Sequence, residues 1–138
     1  MARIGETCSK RYHFTVENIA EAAARLGDTN PVHFDAVFAA GTRFNGLIAA
    51  AGHSTGVFVS LLAEHFNKEH EAYGLEFNYK LKRAVPAGLD AICTWRIVDM
   101  RPSKKLGGNI LTLEGELTDD TGTVYIVGSG VLLVVAKG

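Results

Sequence analysis

An aspartate and a histidine stand five residues apart in the segment GDTNPVHFD, which begins at Gly27. A carboxylate and an imidazole are side chains suited to exchange protons with a substrate or a water molecule. Pro31 disfavours the α conformation at Asn30, whose own side chain can bond the backbone of the loop. The segment therefore predicts either a stiff loop that holds Asp28 and His33 as an acid–base pair, or an Asx turn beside a surface imidazole.

Helical patterns flank this loop on both sides. Thr15 is placed to cap the segment VENIAEAAARL, in which Ile19, Ala22, Ala23 and Leu26 form one apolar stripe, and Gly27 is placed to end it. Asp35 is placed to cap a second, short helix, AVFAAG, that Gly41 closes. A longer helix is predicted from about Gly52 to Phe66, and its apolar residues are so evenly distributed that we expect it to be nearly all buried.

The second half of the chain has the pattern of strands. Apolar residues alternate strictly with Gly, Glu, Asn and Lys from Tyr73, which indicates a strand with one face in water. The last strand is apolar on both faces, so we expect it to be interior, and DDTG between the last two strands predicts a hairpin turn. The predicted strands are residues 8–15, 73–82, 91–98, 110–118 and 123–135. The order predicts one α+β domain over residues 1–138, a curved antiparallel sheet of about five strands that wraps a long central helix.

Composition limits the possible partners of this domain. The 138 residues are 47% hydrophobic and carry a net charge of −1, and no basic cluster exceeds two residues. We therefore expect no nucleic-acid or membrane partner, although a small anionic ligand requires only a few local cations. Cys8 and Cys93 lie far apart, so they predict free thiols in a reducing compartment. The N-terminal segment lacks an apolar run, and a cytoplasmic location is expected.

The loop and its surroundings together resemble the MaoC-like (R)-specific enoyl-CoA hydratases. The residues that carry the resemblance are Asp28-Thr-Asn-Pro-Val-His33 after Gly27, the following Phe-Ala-Ala helix, and Phe44 and Ile48 ahead of the long helix. The turn VPAGLD, which begins at Val85, is also similar to a turn of that family. The resemblance covers nearly the whole chain in element order and implies the hot-dog fold.

Carried over to this sequence, the resemblance implies that Asp28 and His33 hold a water and add it across the double bond of a trans-2-enoyl thioester. A glycine amide at the start of the long helix would stabilise the thioester oxygen, but the family's His-Gly pair is replaced here by Ala51-Gly52. Alignment on the glycine gives this role to Gly52 and makes Ser60 an orienting residue. An ungapped alignment gives it to Ala51 instead. Asn30 is expected to hold the loop at the substrate, and Ser60 has the alternative of bonding its own helix.

The expected reaction yields (R)-3-hydroxyacyl-CoA, or runs in the dehydration direction, and needs no cofactor or metal. The resemblance also implies a homodimer, or a dimer of dimers, with an acyl-CoA thioester as the substrate. Two other functions remain open from the sequence: a hot-dog thioesterase, and an acyl-CoA-binding module without catalysis. His53 is expected either as a polar residue of the first helical turn or as a residue that lines the site.

Overall fold

The computed structural model describes residues 2–137 and contains one antiparallel sheet of five strands in the order β1-β3-β4-β5-β2. Three α-helices lie between the first two strands in sequence. The elements are β1 (Thr7–His13), α1 (Val16–Leu26), α2 (Ala36–Ala40), α3 (Ala51–Phe66), β2 (His70–Leu81), β3 (Asp90–Ser103), β4 (Gly108–Thr118) and β5 (Val124–Ala136). The predicted α+β class and the wrapped central helix are thus confirmed.

The core forms where the sheet packs on α3. The rings of Phe58 and Trp95 stack with centroids 4.4 Å apart, and the Trp95 Nε1–H donates to the Phe58 carbonyl at 2.9 Å. Gly128 on β5 permits this close approach, because a Cβ at that position would lie 2.7 Å from the Phe58 ring. Gly128 therefore allows the sheet and the helix to pack closely.

The prediction that α3 is nearly all buried is wrong. Its buried residues include Phe58, Leu61, Leu62 and Phe66, whereas Ser60, Ala63 and Glu64 are exposed. The helix lies on the concave face of a single sheet, and α1 covers only part of its other side. No helix among residues 2–137 is long and apolar enough to span a bilayer.

β2, β3 and β4 are longer than the sequence indicated, because polar residues continue the pairing beyond the apolar runs, whereas β1 ends at His13, before its predicted end at residue 15. β3, for example, extends to Ser103 through pairing with β4. β5 lies between β4 and β2, so its prediction as an interior strand is confirmed. β2 is an edge strand, and its apolar residues Tyr73, Leu75 and Leu81 are exposed in the chain.

Candidate active site

The loop between α1 and α2 is held by hydrogen bonds at each of its turns. Gly27 ends α1 in the left-handed conformation, with φ at 76°, and the next amide, that of Asp28, donates to the Ala23 carbonyl at 2.9 Å. Asn30 is extended, as the following Pro31 requires, and its Oδ1 accepts from the Val32 amide at 3.1 Å. The predicted end of α1 at Gly27 and the extended, hydrogen-bonded Asn30 are therefore confirmed.

The loop brings Asp28 and His33 together. Nε2 of His33 lies 3.2 Å from Oδ2 of Asp28, while the other carboxylate oxygen accepts from the Asn30 amide at 3.1 Å. Asp28 is therefore both an Asx-turn residue and a partner of the imidazole, whereas the alternative of a surface imidazole is wrong because His33 is buried. The His33 side chain is only 6% exposed, and that of Asp28 is 39% exposed. A buried base thus adjoins a carboxylate that solvent reaches.

The second ring nitrogen of His33 fixes the orientation of the imidazole. Nδ1 donates to the Ile48 carbonyl at 2.7 Å, and the Ile48 amide in turn donates to the Val32 carbonyl at 3.3 Å. Because Nδ1 carries the proton in this bond, Nε2 of the neutral ring has a free lone pair directed at Asp28. The two groups can share one proton, or exchange it with a water that contacts both of them.

The start of α3 adjoins this pair. Ala49 donates to the Val85 carbonyl at 2.8 Å, Ala50 caps the helix in an extended conformation without a side-chain bond, and α3 begins at Ala51. The first amides of a helix have no intrahelical acceptor and lie at the positive end of its dipole. This terminus can therefore stabilise a negative oxygen.

A cavity of about 690 Å³, here called the His33 cavity, is lined by His33 and by the start of α3, whereas Asp28 is not among its lining residues. Residues from the loop, from the segment after α2, from α3 and from the end of β2 line it, among them Asn30, His33, Phe44, Ala51, Ser54 and Arg83. Lys82 lines it as well, so two adjacent cations line the same cavity as the imidazole. In the sequence, Lys82 and Arg83 are recognisable only as two adjacent basic residues. The role of the Ile48 carbonyl cannot be predicted from the sequence, because every residue type has a backbone carbonyl.

Gly52 and Ser60 do not line the His33 cavity. They line a second cavity, of about 460 Å³, between α1 and α3, here called the α1–α3 cavity. Among the described residues, these two therefore do not line the same cavity as His33, contrary to expectation. The physical reason is helical spacing: Gly52, Gly56 and Ser60 fall four residues apart on one stripe, while Ala51 lies a hundred degrees around the helix. Ser60 Oγ instead donates to the Gly56 carbonyl at 2.6 Å.

His53 is buried in the first turn of α3 and does not contact the Asp28–His33 pair. It is 7% exposed, its Nε2 lies 3.0 Å from the Tyr12 hydroxyl, and its Nδ1 has no partner within the described chain. Burial lowers the pKa of His53, which keeps the ring neutral at pH 7. Its contact with Tyr12 depends on β1 folding over α3, which the local sequence does not reveal.

Other reactive side chains do not form a site within residues 2–137. Cys8 and Cys93 are free, and burial raises the pKa of each thiol to about 11, so neither is a nucleophile at neutral pH. No group of three or more His, Cys, Asp or Glu side chains in this range could hold a metal ion. His65 bonds Glu6 at 2.8 Å instead.

The sheet that wraps one long helix defines a hot-dog protein, and the loop pair at the helix terminus fits the acyl-thioester chemistry of that class. The sequence matches the model of the MaoC like domain over residues 2–114. The chain belongs to this MaoC-like hydratase and dehydratase family. None of the curated proteins with which the sequence was compared is a significant match.

Solved structures with the same fold are distant in sequence. The "(R)-hydratase from A. caviae involved in PHA biosynthesis" has 23% identity and a TM-score of 0.84, with 96% of each chain covered. R-Hydratase PhaJ1 from Pseudomonas aeruginosa has 19% identity and a TM-score of 0.85, covering 99% of this chain and 84% of that one. The HadBC (3R-hydroxyacyl-ACP dehydratase) complex from Mycobacterium tuberculosis has 16% identity and a TM-score of 0.79, covering 96% and 98%. At these identities the likeness concerns the fold.

Proposed function

We propose that the protein is an (R)-specific enoyl-CoA hydratase, which adds water to trans-2-enoyl-CoA to give (R)-3-hydroxyacyl-CoA or catalyses the reverse dehydration. The observation that carries the proposal is the pair of His33 Nε2 and Asp28 Oδ2, 3.2 Å apart, with the ring held by the Ile48 carbonyl. Membership in the MaoC-like family supplies the class of reaction.

In the proposed hydration, a water molecule that contacts both Asp28 and His33 loses a proton to the pair. Its oxygen forms a bond to C3 of the enoyl group, and the π electrons move to the thioester oxygen as an enolate. The pair then returns a proton to C2, which restores the carbonyl. Acid–base catalysis of this kind contributes roughly 10²–10⁴-fold in rate.

The enolate oxygen requires a donor, and we assign this role to the Ala51 amide. Ala51 is the first residue of α3 and lines the His33 cavity, whereas Gly52 lines the α1–α3 cavity. The role needs only a backbone N–H, so the replacement of the family's glycine by alanine is compatible with it. This assignment follows the ungapped alignment, with no orienting role for Ser60.

The carrier of the acyl group is assigned as coenzyme A. Lys82 and Arg83 line the same cavity as His33, and two adjacent cations suit the phosphates of this carrier. An N-acetylcysteamine thioester has the same reacting atoms and lacks the phosphates. We expect its KM to be well above that of the matched enoyl-CoA, with a smaller change in kcat.

The experiment that tests the function follows both the C2–C3 double bond and the thioester bond of the substrate. Purified protein is incubated with trans-2-enoyl-CoA, and the loss of enoyl absorbance, the release of free thiol and the configuration of the product are measured. The proposal expects loss of the double bond, no thiol, and the (R) alcohol. Release of thiol with the double bond intact would identify a thioesterase, and saturable binding without turnover would identify an acyl-CoA-binding module.

We further propose that the protein is a homodimer that joins through the free edge of β2. This edge exposes Tyr73, Leu75 and Leu81, whereas the opposite edge, β1, carries the inward-facing cation Lys10, which bonds Glu64. Long apolar edges favour pairing, and inward charges oppose it. Light scattering should therefore give twice the chain mass, and Leu75→Lys should lower it to that of one chain.

A further inference from the structure

The α1–α3 cavity is separate from the proposed active site. Its volume of about 460 Å³ falls within the range of small-molecule sites, and its lining is mostly apolar. Leu61 and Cys93 form its floor and are 5% and 2% exposed. None of its lining residues is assigned a proton-transfer or oxyanion role in the proposed hydration.

The cavity exists because one stripe of α3 carries almost no side chain. Gly52, Gly56 and Ser60 are the small residues of this stripe that line it. A Cβ built at Gly56 meets no atom within 4 Å, whereas one at Gly52 would lie 2.9 Å from the Leu26 side chain. Glycine inside a helix costs roughly 0.5–1 kcal/mol relative to alanine. A glycine in open space therefore sacrifices stability without relieving any clash, which is the pattern expected where an occupant takes the place of a side chain.

The two ends of the cavity differ in charge. At the inner end, His53 bonds the Tyr12 hydroxyl at 3.0 Å, and its Nδ1 has no partner among the described residues. This end is uncharged because burial keeps the imidazole neutral, so it does not suit an ionised group. At the mouth stand Arg25 and Lys10, of which Lys10 is paired with Glu64. Arg25 is 81% exposed and has only a long contact, 3.9 Å, with Glu21.

We propose that the α1–α3 cavity binds a single-chain fatty carboxylate, with the alkyl chain inside and the carboxylate at the mouth beside Arg25. The apolar floor takes up the chain, and the guanidinium of Arg25 can bond the carboxylate in the water-exposed rim. A neutral alcohol of equal length gains the burial of the chain and loses the charged contact. The site therefore distinguishes the two.

The proposal is tested by titrating ¹⁵N-labelled protein with decanoate and, separately, with decanol. We expect saturable shifts of the Gly52, Gly56 and Ser60 amides, with decanoate binding at least several-fold more tightly than decanol. Arg25→Gln should remove most of that preference. Shifts confined to Asn30, His33 and Ala51 would place the ligand in the His33 cavity and overturn the proposal, as would equal binding of the acid and the alcohol.

A matched pair of helix variants tests the location. Gly56→Leu fills the open space with a side chain and should weaken decanoate binding at least tenfold. Ala63→Leu adds the same side chain at an exposed position of the same helix and should leave binding unchanged. Unaltered binding to Gly56→Leu would contradict the proposal. Gly56→Leu should keep enoyl-CoA hydration, because Gly56 lies outside the His33 cavity, so this result is independent of the proposed function.

Discussion

Two histidine–aspartate pairs lie at different depths in the molecule. His13 at the end of β1 pairs with Asp90 at the start of β3, with Nδ1 and Oδ1 2.6 Å apart. His33 pairs with Asp28 at 3.2 Å. The shorter pair has side chains that are 52% and 62% exposed, whereas the imidazole of the longer pair is 6% exposed. The closer contact is thus the more solvated one.

The difference between the pairs lies in what surrounds each imidazole. His33 has its second nitrogen fixed on the Ile48 carbonyl, and the ring lines a cavity that also contains the start of α3. The His13–Asp90 pair lines none of the described cavities that contain a helix terminus. A fixed ring, nearby N–H donors for a developing negative charge and space for substrate distinguish a candidate catalytic pair from a surface ion pair. The contact distance alone does not.

The largest expected effect comes from breaking the buried pair. Asp28→Asn and His33→Gln should each lower kcat for enoyl-CoA hydration by at least about 100-fold, because each removes one partner of the proton transfer. The double variant should lose little more than either single variant, since the two groups act as a unit. Initial rates of enoyl absorbance loss measure this.

The surface pair supplies the matched control. Asp90→Asn and His13→Gln make the same chemical changes in a pair of the same composition, and should leave kcat within about twofold. If the surface variants impaired hydration as strongly as the buried ones, burial of His33 and its hydrogen bond to Ile48 would not be what distinguishes the catalytic pair. Normal hydration by either buried variant would remove the catalytic assignment itself.

The next effect concerns the helix terminus that only the buried pair adjoins. Ala51→Pro deletes one N–H at the first position of α3, where proline is tolerated and the preceding Ala50 is already extended, with ψ at 148°. Loss of an oxyanion donor typically costs about 2.7–4 kcal/mol, so kcat should fall roughly 10²–10³-fold while helical circular dichroism is retained. Full activity of a folded Ala51→Pro variant would return the donor role to Gly52.

The sequence predicted the helix caps and the Asp28–His33 pair, but it did not predict which cavity Gly52 lines. The helix caps at Thr15, Gly27 and Asp35 follow from local bonding rules, and the structure has all three. The pairing of Asp28 with His33 also depends on a short stiff loop, so spacing was informative. The position of Gly52 depends on where α3 begins, because a shift of one residue moves a position by about 100° around the helix, here from one cavity to the other.

The surface pair is an example of a contact that the local sequence does not predict. His13 and Asp90 are 77 residues apart and meet because β1 pairs with β3, at a register that no local pattern specifies. The same holds for His53, whose partner Tyr12 comes from β1. Long-range strand order places these groups, whereas the candidate catalytic loop is nearly self-contained.

His53 extends the comparison to an imidazole that is buried without a carboxylate. Because burial lowers its pKa in the folded protein below the ordinary 6.5, the unfolded chain binds the proton more readily. The stability that this neutral ring contributes is present above pH 6.5 and is lost as the pH falls through its folded pKa. The free energy of unfolding should therefore decrease from pH 7.5 to pH 5, and His53→Gln should reduce that decrease. Urea unfolding at both values measures it, with His13→Gln as the control, and an identical decrease in all three proteins would exclude this role.

The smallest expected effect is the contribution of the surface pair to stability. Exposed ion pairs contribute about 0–1 kcal/mol, because water screens the charges and fixing two side chains costs entropy. A double-mutant cycle of His13→Gln and Asp90→Asn should thus give a coupling free energy below about 1 kcal/mol that decreases further in high salt. His33→Gln should lower the free energy of unfolding by more, about 1–3 kcal/mol, because it removes a buried imidazole and leaves the part-buried Ile48 carbonyl without its donor. A coupling in the surface pair as large as that cost would show that its 2.6 Å contact is not governed by exposure.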